Sequence, residues 1–403
     1  MAPPRAHINP EVLRWARTSA GYSAQDAAKK LQVKPERYEA WETPDSDVFP
    51  TFNQLRRIGG LFRRPISVFY LAAPPEGFQA MRDFRRLPGF GLPHYSPALL
   101  YEMELAQQRR ELAVELYEDI GEEIDAFPLS ATLRDNPEEV GQTIRQFLGV
   151  TFSEQRHWRS GDPLGPFKAW RSAIEAKDIL VFQMSRVERD EVSGFAVAHN
   201  TLPVIAVNRK DFPNRRAFSL LHELVHLILH QSGASDLDVD AARPPEEQQV
   251  EVFCNRAAAA ALMPKEHFLS QPDVQARGAR NEGWSDDEIG RLAGYFGVSR
   301  IAIVRRLLTH DRTTEQFYRA KQRQFDQEYR EALERRKDSF SRSDKEFRRN
   351  PPRDAILELG HPYVRLVLDG IRQNIVTLNE ASSYLGNLRI KHFSKLEQTA
   401  YTG

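Results

Sequence analysis

Eleven consecutive residues, Ser219 to Leu229, read SLLHELVHLIL and constrain the fold more than any other part of the chain. An apolar run of this length with helical spacing belongs in a core, yet it carries His222, Glu223 and His226, which are costly to bury without partners. Two histidines four residues apart lie one turn above the other on a helix. Both imidazoles can then reach a single zinc ion, while Glu223 projects beside them where it can take a proton from bound water. The competing reading is an apolar helix with two hydrogen-bonded core histidines. A third ligand would separate the two. Glu251 follows His226 by 25 residues on a separate predicted helix, a separation from which a second helix can return a carboxylate. Glu246 and Glu247 crowd the same stretch, however, and spacing alone does not distinguish Glu251 from a surface glutamate.

The rest of the chain must supply a core for that helix. At 403 residues it is too long for one compact domain, and roughly 100 to 200 residues per domain gives two or three. The content of 41% hydrophobic and 28% charged residues excludes a disordered chain. Lys plus Arg and Asp plus Glu are 56 each, so no global field draws the molecule to nucleic acid or to an anionic membrane, and any DNA binding must be local. No signal sequence opens the chain, no apolar stretch approaches membrane-spanning length, and the single cysteine, Cys254, cannot form an internal disulfide. The expected compartment is the cytoplasm.

Local punctuation sets the elements. Asn9-Pro10 starts a helix that Gly21 closes, Ser23 caps a second from Ala24 to Leu31, and Pro35 starts a third running to Trp41 with Tyr38 and Trp41 at helical spacing. Thr51 to Phe62 and Pro65 to Leu71 complete a five-helix unit of helix-turn-helix type, ended by the prolines at 74 and 75. Residues 85–97 are expected to be extended. Long helices follow from about Pro97 to Gly121 and Pro137 to Leu148, then strands at Ile179–Gln183, Gly194–Val197 and Pro203–Val207. Helices are expected at Asn214–His230 and roughly Glu246–Leu262, one capped by Ser285, and one beginning in VSRIAIVRRLL. The fold class is therefore α+β, mostly α. The expected division is 1–75 helix-turn-helix, 76–318 a zincin-like domain with a small sheet and a preceding helical linker, 319–350 a charged helical linker, and 351–403 a small helical tail domain.

FSLLHELVHLILH together with EVFCNRAAAAALMP resembles the ImmA/IrrE-type metallopeptidase family, whose pattern is an HExxH helix followed by a helix with a glutamate, an asparagine and a Leu-Met-Pro ending. RDFRRLP at Arg82–Pro88 and the helices ahead of it, of the XRE/Cro-repressor type, resemble its longer members. The matches reach across most of residues 10 to 310. The resemblance implies that His222, His226 and Glu251 bind Zn2+, that Glu223 is the general base, and that water holds the fourth position. Asn255, one turn after Glu251, is either a hydrogen-bond partner that orients a metal ligand or a plain helix-packing amide. The sequence departs from the family at Cys254 and Ala257, where Ala and Phe are expected. His230 reads as a non-ligand, Cys254 as a small buried residue, and Tyr295 and His310 are candidate oxyanion stabilisers.

The expected function is a regulatory zinc endopeptidase that cleaves a specific partner such as a repressor or toxin. The alternative is a DNA-binding regulator or antitoxin in which the peptidase-like domain is a scaffold. If the first unit binds double-stranded DNA, its third helix presents Lys34, Arg37 and Tyr38 to the groove, with Arg56, Arg57, Arg63 and Arg64 available for phosphates and Glu36, Glu39 and Glu42 opposing. RRKDSFSRSDKEFRR reads as a solvated face, and the tail suits capture of a protein partner. A homodimer is compatible with all of this.

Overall fold

The computed structural model describes residues 4–75, 95–158, 162, 164–235, 245–341 and 350–402. The chain divides into two compact units, Met1–Gln108 and Arg109–Gly403. The helices are α1 Pro10–Ser19, α2 Ala24–Leu31, α3 Pro35–Trp41 and α4 Phe52–Phe62 in the first unit, with α5 Pro97–Ile120 spanning the division. In the second unit come α6 Pro137–Leu148, α7 Phe152–His157, α8 Gly165–Glu175, α9 Pro213–Ile228, α10 Pro245–Leu262, α11 Lys265–Leu269, α12 Pro272–Gln275, α13 Asp286–Phe296, α14 Arg300–Thr309, α15 Glu315–Ser341, α16 Pro351–Leu359, α17 His361–Arg372, α18 Leu378–Tyr384 and α19 Phe393–Thr402. The strands are β1 Leu180–Met184, β2 Gly194–Val197, β3 Val204–Asn208 and β4 Gly233–Ser235. The class is α+β, predominantly helical.

In the first unit the punctuation acts as its residues dictate. Asn9 Oδ1 accepts from the Glu11 amide at 2.9 Å, Ser23 Oγ from Asp26 at 3.0 Å, and Thr51 with Gln54 forms a reciprocal capping box. Gly21 closes the turn after α1 with φ +77°. Leu13, Ala16, Ala27, Leu31, Leu55, Ile58 and Phe62 meet in the core. The expected fifth α-helix is a 3-10 helix, Ile66–Tyr70, of whose residues Phe69 alone is buried.

Two further expectations are corrected here. Tyr38, expected in a DNA groove, is fully buried with its ring edge-on to Trp41 at 5.7 Å, because those two residues are the apolar face of a seven-residue helix. Arg64, expected at a phosphate, is buried and pairs with Glu104 at 2.6 Å. Arg82–Pro88 and most of the 85–97 segment lie outside the described residues, as do residues 342–349 of the basic stretch.

The second unit is organised by a sheet of order β1-β3-β2-β4, in which β1 and β3 are parallel and the other pairings antiparallel. β1 and β3 are buried at every position, which is why, apart from Gln183 and Asn208, they read as apolar runs rather than alternating ones. Asn208, at the end of β3, donates to Val192 O at 3.0 Å and Glu188 O at 3.1 Å, and so satisfies the turn leading into β2. α9 packs on β2 and β3 and against α8 and α10. The sequence does not predict β4, since a three-residue Gly-Ala-Ser segment gives no periodic signal.

α10 is set by a close crossing with α6. A Cβ on Gly141 would stand 2.6 Å from Ala260 Cβ and 2.7 Å from Ala261 N, so only glycine lets the two backbones approach this far. The last carbonyls of α10 and its exit, which have no helical partners, are met by buried donors: Arg145 on Ala261 O at 2.7 Å, Gln155 on Leu262 O at 2.9 Å, and Arg306 on Met263 O at 2.7 Å. Arg306 is in turn held by Glu138 of α6. The C-terminal helices lie on this same unit. α16 packs on β1, Leu357 O accepts from Arg171 at 2.7 Å and Gln183 at 2.6 Å, and Tyr363 stands edge-on to Phe182 at 5.7 Å. Pro351 and Pro352 open α16. Replacing Gly141 by Val should destabilise this unit by about 1–3 kcal/mol through overpacking, read as a lowered urea midpoint with an unchanged slope; an unchanged midpoint would mean that the α6–α10 crossing is soft.

Candidate metal centre

Helix α9 starts at Pro213 and buries Leu220, Leu221, Leu224, Val225, Leu227 and Ile228 along its length. Its three ionisable groups of interest share that environment: His222 and Glu223 are 0% exposed and His226 is 6% exposed. The one-turn spacing brings the two imidazole centroids to 4.9 Å. α10 crosses α9 and delivers Glu251, which is 8% exposed.

His226 Nε2 lies 3.1 Å from His222 Nε2, His222 Nε2 lies 3.2 Å from Glu251 Oε2, and His226 Nε2 lies 3.4 Å from Glu251 Oε1. One donor atom from each residue falls within 4.8 Å of the others. Bonds of about 2.0–2.1 Å directed tetrahedrally place ligand atoms about 3.3 Å apart, close to the His–His separation and to that of each imidazole from a Glu251 oxygen, Oε2 for His222 and Oε1 for His226. His222 Nδ1 is 3.1 Å from Asn255 Oδ1 and donates to it, which leaves a lone pair on Nε2 facing the carboxylate. Acceptors converging in a buried volume repel one another unless a cation or a proton lies between them. The donor set fits a divalent metal held by three protein ligands.

The ionisation directions express the same demand for positive charge. Burial pushes His222 down, but the Glu251 carboxylate, with Glu223 and Asn255, more than offsets it, and the imidazole stands above its ordinary value. His226 is held below its ordinary value, chiefly by burial. Glu251 is held well below the usual carboxylate range because the two imidazoles outweigh its burial.

Among the described residues, the others singled out in the sequence do not join this donor set. His230 follows the end of α9 with a left-handed backbone, φ +54°, and the metal-capable group among the described residues is His222, His226 and Glu251 without it. Cys254 is buried, and burial with the neighbouring Glu251 and Glu223 charges raises its thiol well above the normal range, so it is not a thiolate. Tyr295 packs on Phe152 and Phe296, while His310 packs near Phe268 with its Nε2 3.8 Å from Glu138. Lys34 and Arg37 are exposed, and with Arg5, Glu36, Ala40, Asp47, Val48 and Phe49 they line a surface groove of the first unit. The sequence does not predict the buried donors Arg145, Gln155 and Arg306, which hold the far end of α10; nothing in their local sequence distinguishes them from surface residues.

Residues 174–308 match the Peptidase_M78 family model, described as IrrE N-terminal-like domain, and the matched region contains all five residues of the centre. Among curated proteins no match is found. No described helix is long and apolar enough to cross a membrane. Removing the carboxylate with Glu251→Ala should abolish stoichiometric metal retention after dialysis against a weak chelator, and Asn255→Ala should weaken affinity about 10- to 100-fold. Elemental analysis and competition titration check both, and full retention by Glu251→Ala would remove it from the ligand set.

Proposed function

We propose that the chain is a regulatory zinc-dependent endopeptidase that hydrolyses a peptide bond in a specific protein partner, such as a repressor or a toxin-like protein. The observation that carries this is the set of three donor edges of 3.1, 3.2 and 3.4 Å with the carboxyl-bearing Glu223 next in sequence to one donor. The match to a peptidase family over residues 174–308 supports the same reading. When bound, zinc supplies Lewis-acid polarisation and a water acidified towards a pKa of about 7. His222, His226 and Glu251 hold it, and Asn255 fixes the tautomer and orientation of His222. Glu223, buried beside them, takes the proton from the attacking water and returns it to the leaving amine. A dry, apolar surround strengthens each of these interactions.

We further propose that the first unit is a helix-turn-helix of the XRE/Cro type that contacts double-stranded DNA. Lys34, just ahead of α3, and Arg37 on it are exposed, as are Arg56 and Arg57 on α4, while Glu42 turns inward to Arg17 at 2.7 Å, which removes one of the acids opposing phosphate. Partner capture falls to the C-terminal helices, where Leu378 and Ile390 are exposed. A second reading, a regulator or antitoxin whose peptidase-like domain is a scaffold, is favoured by the near-complete burial of all four site groups.

Glu223→Gln separates the two. It should retain about one metal per chain while partner cleavage falls by at least about 10²-fold, the size of a lost general base. A variant that regulates its partner as the wild type does, without cleavage, would establish the scaffold reading. For the first unit, Lys34→Ala with Arg37→Ala should weaken duplex binding and reduce the slope of log affinity against log salt by about 1 to 2; identical slopes would place DNA, if bound at all, on another face.

A further inference from the structure

Strand β2 begins with a glycine that its own backbone dihedrals do not require. Gly194 is not among the residues with a left-handed conformation, and it is paired on both sides, with Val207 of β3 and Ser235 of β4. Glycine in a buried, doubly paired strand gives up side-chain packing and has the largest conformational entropy to lose, so any residue with a Cβ is the better choice on these grounds. What glycine provides here is room. A Cβ at this position would stand 2.8 Å from Glu223 Oε1, 3.0 Å from Glu223 Cγ and 2.9 Å from Ala206 O. Two of these three atoms belong to one side chain, and that side chain is 0% exposed, so it has no open solvent into which to swing.

We propose that Gly194 is a positioning residue for Glu223: the missing side chain of β2 is the space that the carboxyl group occupies, and the strand backbone is the wall that fixes its place beside the metal donors. The sheet then contributes to the centre by what it lacks. The chemical consequence rests on the metallopeptidase reading, whereas the steric coupling between the two residues does not.

The test is a double-mutant cycle in the full-length chain with Gly194→Ala, Glu223→Ala and the double variant, read by urea unfolding, together with cobalt(II) uptake spectra of wild type, Gly194→Ala and Glu223→Gln. Gly194→Ala should lower the folding equilibrium constant at least about tenfold in the wild-type background and less than about threefold once Glu223 is truncated. Equal losses in both backgrounds would assign the glycine to Ala206 O and overturn the proposal. If Gly194→Ala does not fold, a folded double variant supports the proposal and an unfolded one overturns it. The cobalt spectrum of Gly194→Ala should depart from wild type in the same sense as Glu223→Gln, at unchanged stoichiometry; a spectrum identical to wild type overturns the positioning role. A wild type that takes up no cobalt sinks the metal-centre reading instead, and the unfolding cycle still decides on Gly194.

Discussion

Everything at the centre depends on the axial position of α10 relative to α9. His222 and His226 are one turn apart on a single helix and need nothing else to meet, but Glu251 arrives on another helix, and a slip of one residue along α10 would move it about 1.5 Å and turn it away. The position is set at the far end of α10. Gly141 lets α6 come into backbone contact with Ala260 and Ala261, and Arg145, Gln155 and Arg306 take the carbonyls of Ala261, Leu262 and Met263. Such donors are directional, so they fix rotation as well as height. The Ala-Leu-Met segment at the end of α10 thus has a physical role, because Ala261, Leu262 and Met263 present three carbonyls where buried cations and an amide hold them.

Burying His222, His226 and Glu251 together is unfavourable unless each finds a counterpart. Here the counterparts are mutual. Glu251 holds His222 up against burial, the two imidazoles hold Glu251 down, and Asn255 occupies the remaining imidazole nitrogen of His222. The thiol of Cys254 is raised by its burial first, and the same negative charges add to it. One small cation with three ligands would satisfy this set at once, which is why the edge lengths and the ionisation directions point the same way.

The elements of the fold are legible wherever a residue type has one local meaning. Asn9, Ser23, Thr51, Ser285 and Ser299 each cap the helix they precede, and Gly194–Val197 is a strand at the bounds its pattern gives. What is not legible depends on distant partners. Tyr38 reads equally as a groove contact and as a core residue until the rest of α3 is seen to offer no other apolar face. Arg64, Arg145 and Arg306 read as surface charges until Glu104, Ala261 O and Met263 O are placed beside them. In the centre, the histidine pair is visible from spacing, Glu251 stands out from Glu246 and Glu247 only through a resemblance, and Gly194 carries no signal, since its role is defined by the side chain opposite it.

The even balance of 56 basic and 56 acidic residues hides how unevenly charge reaches the surface. Arg17 with Glu42, Arg64 with Glu104, Arg171 with Glu175 and Arg306 with Glu138 are pairs in which the guanidinium or its carboxylate is largely withdrawn from solvent. These charges act on the interior: they brace helices and cap carbonyls, and they cancel locally. A partner meets what remains outside, such as Lys34, Arg37, Arg56 and Arg57 in the first unit. Net charge therefore excludes a global electrostatic field without excluding a local one, and the pairing of Glu42 inward to Arg17 shifts the face of α3 towards positive even though its sequence is acidic.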